Sequence, residues 1–375
     1  MHVVAGARPN FVKIGPVLKA LESDGFFECT LVHTGQHYDF EMSQSFFDDL
    51  GIRKPDVFLD VGSGTHALQT AKVMTSFEKT ALEDMPDLVV VVGDVNSTMA
   101  CSLVAVKLHV PVAHVEAGLR SGDRRMPEEI NRIVTDSVSR FLFVSEPSGV
   151  ENLRAEGVAE DRIFSVGNVM IDTLLENMKK IRSGEVSHPL GPHPGGYAAL
   201  TLHRPSNVDD RETLGGIISA LEKIAEELPV YFPAHPRTVK NIREFGFKDR
   251  FTHWRGPEPA LSGLQLLQPL GYLQFQALTG GARMVLTDSG GIQEETTCLG
   301  IPCITIRENT ERPVTVERGT NVLVGPDGEK ILAAARDVIE GRAKKGAVPE
   351  NWDGKTASRI SNILKKVFLS GKPGI

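Results

Sequence analysis

The sequence predicts an α/β protein made of two Rossmann-like, doubly wound domains that face a central cleft. Short apolar runs alternate with helical patterns in both halves of the chain. Runs such as LVVVV at 88–92 are continuously apolar, as are parallel strands buried on both faces. A length of 375 residues also exceeds what one hydrophobic core usually serves, which favours two domains.

The first half repeats a strand followed by a helix. The strand runs are HVVAG, CTLVHTG, LVVVVGD, VPVAHVEAG and FLFVS, and the helical patterns after them cover 9–24, 39–50, 97–108, 127–140 and 146–156. Right-handed crossovers between parallel strands give a doubly wound sheet. We assign residues 1–170 to this N-terminal domain.

The alternation restarts after 183–196, a segment dense in Gly, Pro and Ser that is typical of an inter-domain connection. The later strand runs are YAALTLH, VYFPAH, ARMVLTDSGG and PCITIRE, with helical patterns at 209–227, 236–245, 291–299 and 355–369. We assign 171–354 to a C-terminal domain. Open α/β sheets bind ligands beyond the carboxyl ends of their strands, so we expect the site between the two domains.

The composition narrows the classes of partner and cofactor. A net charge of −7 and a pI near 5.9 disfavour general attraction to nucleic acid or anionic membranes. No apolar run approaches the roughly 18 residues of a membrane span. The four cysteines form no C-x-x-C pair, so we expect a reducing, cytoplasmic location. No G-x-G-x-x-G follows a strand and no metal-spaced cluster is visible, so we expect neither a dinucleotide cofactor nor a metal.

Polar residues that directly follow apolar strands are the candidate site residues, because their side chains project into the cleft. Three carboxylates, Asp94, Glu116 and Glu128, lie at or just after strand ends. A single carboxylate there also fits a turn or an N-cap. Three that converge in a closed cleft can divide into acid and base, because burial and mutual repulsion separate their proton affinities.

A second candidate is the sequence TDSGGIQEE, which follows a strand and opens a helix. The amides of 289–291 can approach an anion at the positive end of the helix, although an N-capping Ser followed by two turn glycines fits the same letters. Glu295 is suited to accept hydrogen bonds from ribose hydroxyls. For Glu294 the alternative is a favourable charge in the first helical turn.

These residues lie in motifs that strongly resemble those of the non-hydrolysing UDP-N-acetylglucosamine 2-epimerase family. In family order and spacing, the motifs are GARPNFVKIGP, TGQHYD, VVGDVNST, HVEAGLRSGD, MPEEINR, VGNVMIDTL, LTLHRPSN, TDSGGIQEE and ENTERPVT. The resemblance runs nearly end to end. It implies a fold like that of the B-type glycosyltransferases, with the final helix, 355–375, packing back on the first domain, and it suggests a homodimer.

The resemblance also implies roles for the residues that match the family motifs. Asp94, Glu116 and Glu128 would be the acid/base carboxylates, and His203 would act at the diphosphate. The residues that would bind the UDP-sugar are Arg8 and Lys13 from the first domain and Ser289, Gly290, Gly291, Glu295 and Arg312 from the second, UDP-binding domain. Without the family match, Arg312 fits a surface residue before a proline.

Two departures from the family pattern limit what the resemblance carries over. The family often has Arg-Arg-Glu after the histidine, whereas this chain has Arg204-Pro205-Ser206. In some bacterial members a second substrate molecule activates the enzyme through residues at and after a Gln-His pair. Here Gln36-His37 is followed by Tyr38-Asp39 and not by the Arg of those members, so such activation is not assumed.

The implied reaction is reversible inversion of C2 of UDP-N-acetylglucosamine, which supplies precursors of cell-surface polysaccharides. The chemistry requires UDP to leave before the C2 proton does, and proton-handling groups on both faces of C2. Three alternatives stay open: a hydrolysing relative that releases N-acetylmannosamine and UDP, a glycosyltransferase, and a regulatory protein that binds a UDP-sugar. The three carboxylates argue against the last two, and the sequence does not specify further substituents on the sugar.

Overall fold

The chain folds into two compact units, each built around one seven-stranded parallel sheet. The structure is a computed structural model that describes residues 1–35, 47, 49–191, 196–254, 256 and 260–371, without the side chain of Arg8. The first unit comprises Met1–Thr173 and Glu350–Ile375, and the second comprises Leu174–Pro349. The predicted pair of doubly wound α/β sheets is confirmed.

The first unit alternates strands and helices as a doubly wound sheet requires. Its strands are β1 (His2–Ala5), β2 (Thr30–His33), β3 (Val57–Phe58), β4 (Val89–Val92), β5 (Val112–Ala117), β6 (Phe141–Val144) and β7 (Ile163–Ser165). Its described helices are α1 (Arg8–Glu22), α2 (His66–Glu83), α3 (Asn96–Lys107), α4 (Pro127–Val138), α5 (Pro147–Ala155), the start of α6 (Val169–Arg182) and α14 (Thr356–Leu369). The strand order is β3-β2-β1-β4-β5-β6-β7, so the winding direction reverses between β1 and β4.

The second unit repeats this plan. Its strands are β8 (Ala198–Thr201), β9 (Val230–Pro233), β10 (Thr252–His253), β11 (Leu264–Leu267), β12 (Met284–Thr287), β13 (Cys303–Thr305) and β14 (Asn321–Leu323). Its described helices are the rest of α6, α7 (Pro205–Val208), α8 (Arg211–Ala225), α9 (Pro236–Glu244), α10 (Tyr272–Gly280), α11 (Gly290–Leu299), α12 (Pro313–Glu317) and α13 (Gly328–Ile339). The order β10-β11-β9-β8-β12-β13-β14 reverses between β8 and β12. Ligands of such sheets bind where the order reverses, beyond the carboxyl ends of the strands.

The strands are apolar because helices cover both faces of each sheet. All four residues of β4 are buried, and β1 pairs with it in parallel through His2 opposite Val89. In the second unit, β12 is buried in the same way between β8 and β13. The continuous apolar runs in the sequence therefore indicated the right kind of strand.

The sequence missed several elements whose patterns are weak. The helix α2 spans 18 residues but buries only Val73, Phe77 and Ala81, so its apolar stripe is narrow. The strands β3 and β10 have two residues each, too short for a periodic signal. The helix expected at 39–50 lies mostly outside the described residues.

The predicted connection at 183–196 is misplaced. The boundary between the units falls inside α6, between Thr173 and Leu174. Leu190 is fully buried in a cluster with Tyr197, and the His188 Nε2 atom lies 3.0 Å from the Tyr197 hydroxyl. The described part of this Gly/Pro-rich segment thus belongs to the second unit. Burial of Leu190 against Tyr197 holds the segment there despite its flexible composition.

The C-terminal segment completes the first unit through specific polar contacts. The Trp352 indole Nε1 donates to the Ser145 carbonyl at 2.9 Å, and the Trp352 side chain is buried. The buried Asp172 carboxylate accepts from the backbone N–H groups of Thr356 and Ala357 at 3.1 and 2.8 Å. Asp172 lies in VGNVMIDTL, so this motif fastens the start of α14.

None of the described helices is long and apolar enough to cross a membrane.

Replacing Asp172 by Ala should destabilise the first unit by roughly 2–6 kcal/mol, because two buried N–H groups lose their acceptor at about 1–3 kcal/mol each. The melting temperature should fall, and trypsin should cut sooner near Lys355. The matched control is Lys179→Ala, an exposed position on the same helix, which should change stability by no more than about 0.5 kcal/mol. Equal melting temperatures for the two variants would contradict the anchoring role.

Candidate active site

Glu116 occupies a strained position at the carboxyl end of β5. Its backbone φ is +72°, a conformation that residues other than glycine rarely adopt. The pairing of β5 with β6 is also irregular at this point. The Glu116 carboxylate is buried and forms an ion pair with the Lys13 ammonium from α1. Strain of this kind persists only where the surrounding structure enforces it, and it clusters at functional sites.

Gly93, at the end of β4, leaves room for this pair. Its φ is +70°, and a Cβ there would lie 3.2 Å from Asn10 Nδ2 and 3.5 Å from Glu116 Oε2. Asn10 donates to the Val92 carbonyl at 2.9 Å and accepts from the Ala7 amide at 2.9 Å. The start of α1 is thereby tied to the end of β4, which fixes Lys13 against Glu116.

Asp94 follows Gly93 and is held by α4. Its carboxylate pairs with Arg132, and its backbone carbonyl accepts from Asn131 Nδ2 at 2.9 Å. Arg132 is itself buried and also pairs with Glu129 at 2.9 Å. The two backbone amides of the 121–122 turn donate to the Glu129 carboxylate, so the loop before α4 is fastened to the helix as well.

Glu128 lies in the exposed first turn of α4. It precedes Arg132 by four residues, and residues with this spacing share one face of a helix. Glu128 therefore lies on the face of α4 that carries the Arg132–Asp94 pair. The structure brings Lys13, Asp94 and Glu116 to one edge of the first sheet, with Glu128 on the neighbouring helix face.

The histidine of the second unit is oriented by a buried carboxylate. The His203 Nδ1 atom lies 2.8 Å from Asp288 Oδ1, and the imidazole is about half exposed. Asp288 is fully buried and also accepts from the backbone amides of His203 and Arg204 at 2.9 and 2.8 Å. Burial alone raises the pKa of Asp288, but these bonds and the charge of His203 lower it below its ordinary value. Asp288 thus fixes the ring and leaves Nε2 to act on a ligand.

The amino end of α11 is positively charged and sterically open. Ser289 is its N-cap and donates its own amide to Thr287 Oγ1 at 2.9 Å. A Cβ on Gly290 would lie 2.8 Å from the Arg312 Nη1 atom, so glycine lets the guanidinium lie over this helix end without being displaced. Gly291 continues the first turn, whose amides have no acceptor within the helix.

Further arginines lie beside this helix end, each next to a carboxylate. Arg312 pairs with the fully buried Glu294 at 2.8 Å, and Arg307 binds Glu311 through two bonds of 3.0 and 2.8 Å. Burial, and then the charge of Arg307, lower the pKa of Arg204. This arrangement, with the helix dipole, can stabilise the charge of a diphosphate.

Glu295 is buried below the helix surface. Gln276 Nε2 donates to its Oε1 atom at 3.2 Å, and only 4% of the residue is exposed. Burial, helped by the charge of Glu294, raises the pKa of Glu295 to about 7. A ligand hydroxyl that reached this carboxyl would meet a group that changes charge near neutral pH.

No group of three or more His, Cys, Asp or Glu residues that could hold a metal occurs in the described part of the chain. The Arg8 side chain and residues 36–46, which include Gln36 and His37, lie outside the described residues, so the predictions made for them stay predictions.

The whole chain matches known sequences and structures. It matches the family model of UDP-N-acetylglucosamine 2-epimerase over residues 19–365. The chain belongs to this family. It is 41% identical to the solved UDP-GlcNAc 2-epimerase of Methanocaldococcus jannaschii in complex with UDP-GlcNAc and UDP, covering 97% of this chain and 99% of that one, with a TM-score of 0.82.

One further relative and one structural neighbour add to this comparison. This epimerase is 40% identical to the UDP-2,3-diacetamido-2,3-dideoxy-D-glucuronate 2-epimerase of Pseudomonas aeruginosa, over 97% of this chain and 99% of that protein. A structure of Acinetobacter baumannii MurG, 12% identical, covers 97% of this chain and 99% of that one with a TM-score of 0.54, and it shows the fold alone. At that level the predicted likeness to the B-type glycosyltransferase fold is confirmed.

Several supporting residues of the epimerase were missed by the sequence analysis. They are Asn10, Glu129, Arg132, Asp288, Arg307 and Glu311. Most of them lie inside the matched motifs. Glu311 directly precedes Arg312, so a neighbouring charge of opposite sign could have indicated it, whereas the other five form their contacts only in the folded chain.

The stability of the Glu295→Gln variant should increase relative to that of the wild type as the pH rises. The unfolded chain loses the Glu295 proton near the ordinary pKa of 4.5, whereas the folded protein keeps it to about 7. Wild-type stability is therefore lost relative to the variant as the pH rises from about 4.5 to about 7, by up to about 3 kcal/mol at about 1.4 kcal/mol per pKa unit.

Thermal melting of both proteins at pH 5, 6, 7 and 8 tests this. The control is Glu212→Gln, an exposed position on α8, whose difference from wild type should stay small throughout. A constant difference between Glu295→Gln and wild type across this series would exclude a raised pKa.

Proposed function

We propose that this epimerase inverts C2 of UDP-N-acetylglucosamine reversibly, by a non-hydrolysing route in which UDP is eliminated and added back. The observation that carries the proposal is the buried Lys13–Glu116 pair beside Asp94, in a chain 41% identical to an epimerase solved with UDP-GlcNAc and UDP. A protein that only bound the sugar nucleotide would gain nothing from these acids, because its ligand is an anion.

The order of bond breaking follows from the substrate. The C2 hydrogen is not acidic, because C2 carries an acetamido group and no carbonyl is adjacent. Cleavage of the C1–O bond sends the electron pair to UDP and gives C1 oxocarbenium character, which acidifies the C2 hydrogen. Loss of this proton forms 2-acetamidoglucal. Protonation of C2 from the opposite face and return of UDP to C1 give the manno isomer.

The second unit supplies the groups that stabilise the leaving UDP. Arg312 and the first amides of α11 present positive charge to the diphosphate, and His203 faces it with its Nε2 atom. Ser289, Gly290 and Gly291 form the surface against which the phosphates lie. Glu295 takes the ribose hydroxyls, and Arg8 contributes a further cation from the first unit.

The first unit supplies the proton-handling groups. Inversion requires an acid or base on each face of C2, and Asp94, Glu116 and Glu128 provide them. Lys13 balances the buried charge of Glu116 while that residue lacks a proton. Each positioned acid or base contributes about 10²–10⁴-fold to the rate. Exclusion of water from the glucal separates this reaction from hydrolysis.

A second substrate has specific support. The 40% identity to an epimerase of UDP-2,3-diacetamido-2,3-dideoxy-D-glucuronate nearly equals the identity to the UDP-GlcNAc enzyme. The C2 chemistry is the same for both sugars, which differ at C3 and C6. We retain this sugar as the alternative substrate.

The proposed enzyme works as a cytoplasmic homodimer without NAD or a metal. The support is the family membership together with four cysteines that form no disulfide among the described residues.

In D₂O the wild-type enzyme should place deuterium at C2 of its product, because the removed proton exchanges with solvent before C2 is protonated again. Proton NMR follows the exchange, and long incubation should also release traces of 2-acetamidoglucal and UDP. Product that keeps its original C2 hydrogen would exclude the elimination route. Formation of free N-acetylmannosamine as the main product would establish the hydrolysing reaction instead, and a parallel incubation with the diacetamido sugar decides between the substrates.

Glu116→Gln and Glu128→Gln should each lower kcat by at least about 10²-fold while UDP still binds, because the amide keeps the shape of the side chain but transfers no proton. Isothermal titration with UDP separates binding from chemistry. His203→Asn is the contrasting variant: it should depress glucal release and epimerisation together, since C1–O cleavage comes first. Wild-type turnover in both Gln variants would show that other groups move the proton.

A further inference from the structure

A buried histidine lies behind the carboxylates of the first unit. His114, in β5, is fully buried, and no step of the proposed reaction uses it. Its Nδ1 atom lies 2.6 Å from Asp136 Oδ1, and its Nε2 atom lies 2.8 Å from the Gly93 carbonyl oxygen. The ring therefore joins the end of β4 to α4.

Both partners of the ring can only accept a hydrogen bond. A carbonyl oxygen has no proton to give, and neither has an ionised carboxylate. Burial alone raises the pKa of Asp136, but the charge of His114 and its hydrogen bond, with those of Arg120, lower it below its ordinary value. Only a His114 ring that carries hydrogen on both nitrogens can donate both bonds, at 2.6 and 2.8 Å.

Asp136 also holds the backbone on the other side of the strained residue, Glu116. Its Oδ2 atom accepts from the Gly118 amide at 3.0 Å and from Arg120 Nη1 at 2.7 Å. Glu116 thus lies between His114 and Gly118, and both flanks are fastened to one carboxylate. The strained backbone of Glu116, with φ of +72°, needs such fixed flanks.

The charges alternate outward from this point. Arg120 binds Glu156 through two bonds of 2.8 and 2.7 Å, so His114, Asp136, Arg120 and Glu156 carry charges of alternating sign. Arg125, in contrast, is exposed and pairs with Asp123. Because an unpaired buried charge is costly, the inner members of this series, His114, Asp136 and Arg120, keep one arrangement.

We propose that the doubly protonated His114 and Asp136 are positioning residues for epimerisation, which hold Asp94 through the Gly93 carbonyl and Glu116 through both of its flanks. The inference rests on the proposed function, in which these two carboxylates act at C2. A displacement of about 1 Å at such groups costs about 10²-fold in rate, whereas UDP contacts from the second unit stay unchanged.

The expected effect of His114→Gln and of Asp136→Asn is therefore a fall in kcat of about 10²-fold, with the KM and the UDP affinity within about twofold of wild type. The matched control is His2→Gln. His2 is also buried and lies 3.2 Å from an aspartate, Asp84, but it stands at the amino end of the same sheet. That variant should melt earlier and keep the wild-type kcat.

Two measurements separate positioning from a general loss of structure. In a Glu116→Gln background, His114→Gln should lower kcat by a smaller factor than it does alone, because one of the two carboxylates that it positions is already removed. Neutron crystallography of the wild-type protein should show deuterium on both Nδ1 and Nε2 of His114, and it needs no variant that might fail to fold.

Full additivity of the two substitutions, or deuterium on a single ring nitrogen, would overturn the proposal. An active wild type whose His114→Gln and Asp136→Asn variants keep kcat refutes the positioning role alone. A wild type that neither epimerises nor exchanges C2 of either sugar nucleotide refutes the proposed function and the positioning role together.

Discussion

Pairing of buried charge is the constraint on which the architecture of both units depends. The carboxyl-terminal edges of the sheets contain buried ionised groups, and such a group is tolerated only beside an opposite charge. Lys13 with Glu116, Arg132 with Glu129, and Arg312 with Glu294 all satisfy this requirement. The Lys13–Glu116 pair joins α1 to β5, and the Arg312–Glu294 pair joins the start of α12 to α11, so the contact that neutralises a charge also fixes one element against another.

The two units apply this constraint to different tasks. In the first, the carboxylates of Asp94 and Glu116 lie at the strand ends, which suits the proposed movement of protons. In the second, arginines and a helix dipole collect at the start of α11, which suits the binding of phosphate. The same kind of sheet therefore serves two proposed tasks, and the difference lies in the residues that follow β5 and β12.

The pattern of apolar residues along the sequence was enough to predict the regular strands and helices. The buried strand β4 and helices such as α4 and α9 lie within two residues of their predicted ends. The narrow apolar stripe of α2 gave no such signal, and the connection at 183–196 was misplaced because composition does not reveal that Leu190 is buried. Among the site residues, strand ends and motifs predicted Glu116 and the start of α11. They could not predict the partners, because a pair such as His114 and Asp136 is close only in the folded chain.

The division of the first unit into two stretches of chain bears on how the protein is made. A ribosome releases residues in order, and the second unit is one continuous stretch, Leu174–Pro349. Its strands have all emerged before Trp352 reaches the Ser145 carbonyl. The unit that begins the chain is thus the last to be finished, although domains near the N-terminus usually fold first during synthesis. Until then the nascent first unit exposes the apolar surface that α14 later covers. A chaperone can bind this surface only during that interval.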